Sequence, residues 1–455
     1  MQAVIILARA VHFAAILSLT GIFVFLAVVI EPVLARAAPS DAPAFRRTLR
    51  RLAWASLAAA LLSGALWLVL EARSMSGRPL AEVFSQHIIA VVLTRTRFGQ
   101  VWEVRLILVL LLPSLLVAGD HLGRRRGAAA LSWATLLLGA AVAAALAWAG
   151  HAGATQGAAG EIHVIADALH LLAAAAWLGA LPPLALLYAR AKDEREWLDI
   201  ARDATRRFSW LGMACVATLL ATGVVNSWFL VGGVPGLLGT PYGRLLLLKL
   251  ALFVAMVSVA AVNRQRLTPQ LVDGVAPTAA LRRLRRNALI ETALGLAILA
   301  VVGALGTEPP GAHLQADWPL PFRFALDAFP PSPALNAEAI ACATGMAVGL
   351  AALVSAVLRR RHRWVSAGIG VTLMAGFGSV PFGWMIEDAY PTTFYRSPVP
   401  YDAAAIVAGS MHYADQCSQC HGVDGHGDGP AARDLAVKPA DLTAPHFFAH
   451  RDGNR

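Results

Sequence analysis

Near its C-terminus the chain reads YADQCSQCHGVDGHGDGP, with Cys417 and Cys420 separated by two residues and His421 directly following. Two thiols at this spacing can form thioethers to porphyrin vinyl groups, and the adjacent histidine is then held beneath the iron as an axial ligand. C-x-x-C-H is therefore a haem c attachment signature. A zinc site would need two further ligands, for which His426 and His446 are available, and paired thiols also serve thioredoxin-like chemistry. The glycine-rich run after His421 favours haem.

A second constellation lies in an apolar segment. His163, Asp167 and His170 stand at i, i+4 and i+7, and at 100° per residue they share an arc of about 60° on one helix face. Trp177 falls on the same face, His151 precedes it in the phrase WAGHAG, and His12 lies in the first apolar run. Imidazole suits copper, zinc, iron and nickel, and a carboxylate beside a histidine orients its ring. Ionisable groups in lipid are costly and are functional candidates by default. The simpler reading, hydrogen bonding of each ring to a neighbouring backbone, has more weight for lone His12 than for the trio. If the first and fifth helices enter from the same side, His12 and His170 lie at a similar depth of roughly 12–14 Å. His12, His151, His163, Asp167 and His170 are the expected metal set. Lys249 and Glu291 also fall inside apolar runs, Lys249 where it can reach the surface.

These residues must be positioned by helices. Of 455 residues, 57% are hydrophobic and 15% charged, and mean hydropathy is +0.60. The apolar residues collect in blocks of roughly 20, the length that crosses a ~30 Å hydrocarbon core. Spans are expected at about 4–30, 52–71, 101–119, 128–150, 161–189, 208–231, 243–263, 287–306, 337–358 and 364–386, with a short interfacial helix near 80–93. The N-terminal run is too long for a signal peptide and is expected to remain as the first helix. The 307–336 stretch, rich in proline and aromatics, is expected to be ordered against the membrane surface. The expected fold is all-α, a transmembrane bundle of about ten helices with a small periplasmic haem-bearing helical segment.

The net charge of +10 does not indicate nucleic acid, because the cations cluster between apolar blocks. Arg36, Arg46, Arg47, Arg50 and Arg51 fill the first connection, Arg124–Arg126 the third, and Arg190, Lys192, Arg195, Arg202, Arg206 and Arg207 the fifth. Arg264, Arg266, Arg282, Arg283, Arg285 and Arg286 fill the seventh, and residues 359–363 the ninth. Positive residues favour the cytoplasmic side, which places both termini in the periplasm of a bacterial inner membrane. Covalent haem c is assembled on that same side. Isolated Cys215 and Cys342 are expected to be packing residues. Neither a phosphate-binding glycine loop nor a C-P-C helix is present, which argues against ATP-driven pumping.

The haem segment resembles small monohaem cytochromes c in GVDGHGDGP and PADLTAP. Such domains supply a methionine as second axial ligand, whereas no methionine follows His421 here. Three readings stay open: the segment is truncated, which PHFFAHRDGNR favours; His446 or His450 takes the sixth position; or the iron stays open. The rest of the chain, about 1–325, resembles the copper resistance protein D family in RAVHFAAILSLTG, TRTRFGQVWEVR, HVIADALHLLAAAAWLGAL, TGVVNSWF, TPYGRLLLLKLALF, NRQRLTP and WPLPFRF. The resemblance implies an eight-helix copper-handling domain at 1–325. Two added helices at 326–390 and an incomplete cytochrome c segment at 391–455 would follow it. It further implies copper as cargo and a separate periplasmic CopC-like copper protein as partner, with a redox partner for the haem. The expected function is copper uptake, by a transporter with a redox-active haem rather than a catalytic enzyme. The alternative is an electron-transfer oxidoreductase in which membrane histidines bind haem b.

Overall fold

The computed structural model describes residues 2–122, 128–155, 157–191, 195–272, 277–324, 333–358, 363–384 and 386–443. Arg124–Arg126, Lys192, residues 359–362, His446 and His450, all invoked above, lie outside these. The chain divides into two compact units, Met1–Leu314 and Gln315–Arg455.

In the first unit, the described residues contain eight helices long and apolar enough to cross a membrane. They are α1 (Gln2–Ala37), α2 (Ala42–Ser76), α3 (Arg97–Gly119), α4 (Ala130–Ala149), α5 (Gly157–Ala191), α6 (Glu196–Val231), α7 (Pro241–Leu271) and α8 (Pro277–Leu305). Several extend well past the apolar run that announced them. Hydropathy marks only the part of a helix that suits lipid, and the arginine-rich ends continue helical where their charges are paired or solvated. Arg46 on α2 pairs with Glu31 on α1 at 2.7 Å, and Asp41 takes hydrogen bonds from Arg190 and from Trp197 Nε1. The expected interfacial helix is two short ones, Leu80–Ser85 and Ile88–Arg95, joined through His87 in a left-handed conformation (φ +52°).

α1 packs against α2, α4, α5 and α8, and its Ile16, Leu17, Leu19, Ile22 and Phe25 are almost wholly buried. Its crossing with α5 depends on two glycines. A Cβ on Gly179 would lie 2.0 Å from the Leu17 carbonyl oxygen, and one on Gly21 would lie 2.2 Å from the Gly179 carbonyl carbon. Small residues let helix backbones approach this closely in a membrane. α5 is interrupted just after Gly179 and resumes at Leu181, where Pro182 and Pro183 occupy the first turn, a position that needs no backbone N–H.

The second unit holds α9 (Pro333–Leu358) and α10 (Arg363–Trp384), which pack on each other as an antiparallel hairpin. Gly349 sits against Gly370, and Gly345 accommodates the Phe377 ring. Their apolar stretches, Ile340–Leu353 and Trp364–Ser379, are shorter than the eight spans. The long aromatic loop contributes a strand not expected from the sequence. β1 (Phe322–Phe324) pairs antiparallel with β2 (Ile386–Asp388), opposing Arg323 and Glu387 as an ion pair. Trp318 anchors the ribbon, donating from Nε1 to Phe322 O at 2.7 Å and lying 4.9 Å from the Phe394 ring. α11 (Ala403–His412), capped by Asp402 through Ala405 N, leads through a wide turn into the short helix Ser418–His421.

Candidate metal and haem sites

α5 and α6 run antiparallel, so their facing residues pair in register. His163 stacks on Phe229 with ring centroids 4.7 Å apart, Asp167 accepts from Asn226 Nδ2 at 3.2 Å, and His170 Nδ1 lies 2.9 Å from Thr222 Oγ1. Each member of the trio thus has a partner on α6. The hydrogen-bond network also assigns the His170 tautomer. Thr222 Oγ1 gives its hydrogen to Thr218 O at 2.6 Å, so it accepts from His170 Nδ1–H. In the neutral ring Nε2 then keeps its lone pair, the arrangement that a metal-binding imidazole requires. Asn226 Oδ1 is buried without a hydrogen-bond partner beside Asp167. His163 Nδ1 meets Thr155 Oγ1 at 3.1 Å.

Lys249 on α7 acts electrostatically on both Asp167 and His170, a proximity the sequence did not reveal. Sequence reasoning set Lys249 at the surface and left Asn226 and Thr222 without roles. The signal available was the phrase TGVVNSWF, whose polar residues recur at helical spacing in an otherwise apolar run.

His151 lies between α4 and α5. Its Nε2 donates to the Glu308 carbonyl at 3.1 Å, which leaves Nδ1 as the lone-pair nitrogen, and its ring meets Tyr242 edge-on at 6.2 Å. Burial holds its pKa below the usual 6.5, opposed by the Glu308 carbonyl and reinforced by Arg9 and His313.

The contacts of His12 are to α2 and α3. Its Nδ1 donates to Ala60 O at 3.0 Å, while Nε2 takes a hydrogen bond from Arg105 Nη2. Both ring nitrogens are engaged, so a metal would reach His12 only if Arg105 withdrew. Arg9 and Arg105 both lie over the Trp67 ring, at 4.9 and 5.3 Å, and Trp67 Nε1 donates to Glu71. Among the described residues, no group of three or more His, Cys, Asp or Glu side chains is close enough to hold a metal ion. The α5 face gathers three of the expected residues on one helix without closing them into a preformed chelate.

In the second unit, Cys417 and Cys420 are free thiols, exposed and half-buried respectively. His421 Nδ1 donates to Ala440 O at 3.0 Å, fixing the ring so that Nε2 is presented. The loop wraps back by Gly427 N to His421 O (2.8 Å), Gly429 N to Cys420 O (3.2 Å) and Leu442 N to Gly425 O (2.7 Å). Gly422 (φ +78°) and Gly427 (φ +75°) adopt backbone conformations that favour glycine. His426 Nδ1 donates to Thr443 Oγ1 at 3.1 Å, and Thr443 in turn holds the Asp441 carboxyl below the usual carboxylate range by two hydrogen bonds. Two accessible thiols and a histidine oriented by a backbone carbonyl fit a covalently attached haem.

Eight span-length helices with a buried histidine–carboxylate face, joined to a haem-attachment segment, define a multi-pass membrane protein with a cytochrome c module. The family model for Copper resistance protein D matches residues 202–305, that for the Copper resistance protein D-like N-terminal domain matches 1–161, and Cytochrome c matches 406–453. The chain is 33% identical over 273 residues to "Inner membrane protein YebZ" of Escherichia coli K12, covering 58% of this chain and 88% of that protein. It is 33% identical over 262 residues to "Copper resistance protein D" of Pseudomonas syringae pv. tomato, covering 55% and 80%. It is 27% identical over 275 residues to "Copper transport protein CutJ" of Bacillus subtilis, covering 59% and 47%. No solved structure matches. The chain belongs to the copper resistance protein D family.

Proposed function

We propose that the protein moves copper across the bacterial inner membrane, receiving it at the periplasmic face. His151, His163, Asp167 and His170 take the metal there, and His12 joins them if Arg105 releases its Nε2. The observation that carries this reading is the register of α5 against α6. It gives His170 an unprotonated Nε2, held by Thr222, beside a carboxylate and an unpartnered Asn226 oxygen. These are borderline and hard donors suited to Cu(II) or a mixed site. Lys249 occupies the charge position opposite Asp167, so an arriving cation would displace its influence there.

The arginine-rich connections support a topology with both termini outside, in keeping with haem attachment at Cys417 and Cys420 and ligation by His421. The domains divide as a copper-handling bundle over 1–325, two added helices over 326–390 and the haem segment over 391–455. The haem, when bound, supplies one-electron chemistry, which suits interconversion of Cu(II) and Cu(I) with a separate redox partner. A CopC-like periplasmic protein is the fitting copper donor.

Cellular copper measured with wild type and His170→Ala at matched protein levels tests the transport reading. Lower copper in the variant is expected, and unchanged copper refutes it. A pyridine haemochrome spectrum of the purified protein checks the competing reading, since a b-type signal would assign the membrane histidines to haem.

A further inference from the structure

The α5 face does not end at His170. Trp177, two turns or about 10 Å further along the helix, brings its indole N–H toward the carboxyl of Glu291 on α8, and both line one cavity. Glu291 is 2% exposed, and one oxygen accepts from Asn263 Nδ2 at 2.7 Å. Asn263 is itself fixed by Asn287 Nδ2 at 2.7 Å. Asn263 opens a wide turn in α7 (Asn263–Leu267), the kind of local helix widening often found at functional sites.

Glu291 borders a cavity of roughly 360 Å³ among α5, α6, α7 and α8. Its walls are mostly apolar, and its polar end is built by Thr205, Ser209, Asn263, Arg264, Gln265 and Thr268. Around the cavity that Glu291 borders, α5 contributes Trp177 and Tyr188, α6 Thr205 and Ser209, and α7 Asn263 and Arg264, while Asn287 on α8 holds Asn263 from behind. α1, which also packs on α8, carries no ionisable side chain between Thr20 and Ile30. Arg264 is the one cation lining the cavity among the described residues. It donates to Ser209 at 2.6 Å and lies over the Trp210 ring, so it is committed elsewhere. A buried carboxyl held only by neutral donors beside a cavity is built to change its proton, because no fixed positive charge locks it as an anion.

We propose that Glu291 is a proton-exchange site, taking a proton onto a carboxyl oxygen and returning it through the cavity to the aqueous phase on the Arg264 side. The site rests on the copper-transport reading for its purpose, as the coupling station at the inner end of the α5 face, but not for its chemistry. Infrared difference spectra of the full chain in lipid nanodiscs, between alkaline and acidic buffer, test it. In wild type a protonated-carboxyl C=O band appears on acidification. Glu291→Gln abolishes that band, and Trp177→Phe shifts it by removing the indole donor. Helical content by circular dichroism and a thermal unfolding midpoint close to wild type report that the bundle of each variant is folded. A band that survives in Glu291→Gln, or that is unmoved in Trp177→Phe should the first variant not fold, overturns the assignment. Copper uptake by proteoliposomes is measured in parallel. A titrating Glu291 band in a protein that moves no copper leaves the proton site standing and sinks the transport reading alone.

Discussion

Thr222→Val isolates the argument that His170 is a prepared ligand. Valine keeps the shape of threonine on α6 but removes the oxygen that accepts His170 Nδ1–H at 2.9 Å. Two consequences follow. A ring N–H in a largely buried setting loses its partner, which costs about 1–3 kcal/mol of stability. The ring is also released to rotate or to exchange tautomers, so Nε2 is no longer the fixed lone-pair nitrogen. Loss of such an orienting partner typically weakens metal binding by about 10–100-fold, or roughly 1.4–2.7 kcal/mol. Copper affinity measured by competition with a chromophoric chelator, using full chain in nanodiscs, reads this directly. Thr292→Val is the control, because the Thr292 hydroxyl bonds only its own helix at Ala288 O. If Thr222→Val binds copper within about twofold of wild type, well below the range for such a partner, while His170→Ala does not, the tautomer argument is wrong.

Other perturbations reach other parts of the molecule. Gly179→Ala should destabilise the bundle by about 2 kcal/mol or more, because its Cβ would overlap the Leu17 carbonyl; Gly212→Ala, with nothing within 4 Å, should not. Thermal unfolding in detergent compares the two. Burial depresses the His151 pKa below 6.5, so the unfolded chain binds the extra proton first. The corresponding stability is complete above pH 6.5 and drains away as pH falls below it, and His151→Gln should flatten this part of the unfolding-midpoint profile. The double variant Cys417→Ser, Cys420→Ser should lose all covalently attached haem on a denaturing gel stained for haem, with the helical content of the bundle retained by circular dichroism.

The periodicity of the chain determined a good deal. Blocks of apolar residues announced ten helices, of which eight are span-length among the described residues and two carry shorter apolar stretches. The i, i+4, i+7 spacing put His163, Asp167 and His170 on one face, and C-x-x-C-H marked the haem segment, because each of these signals is local. Helix ends were missed, since hydropathy reports the solvent around a helix and not where its hydrogen bonds stop; α2 starts ten residues before the apolar run, at Ala42. The β1–β2 ribbon was missed because its strands are three residues long and lie far apart in sequence.

What only the tertiary structure decided was which side chains meet. Lys249 and Glu291 are similar oddities in the sequence, each an ionisable group inside an apolar run, and spacing alone does not tell their neighbours apart. Packing instead sets Lys249 toward Asp167 and His170, and Glu291 toward Asn263 and Trp177. His12 and His170 matched in expected depth, yet one faces α2 and α3 and the other α6, because the turn of a helix toward its neighbours depends on crossings such as Gly21 on Gly179. A period fixes which residues share a face; the choice of neighbour for that face is made by interhelical packing, which no single segment encodes.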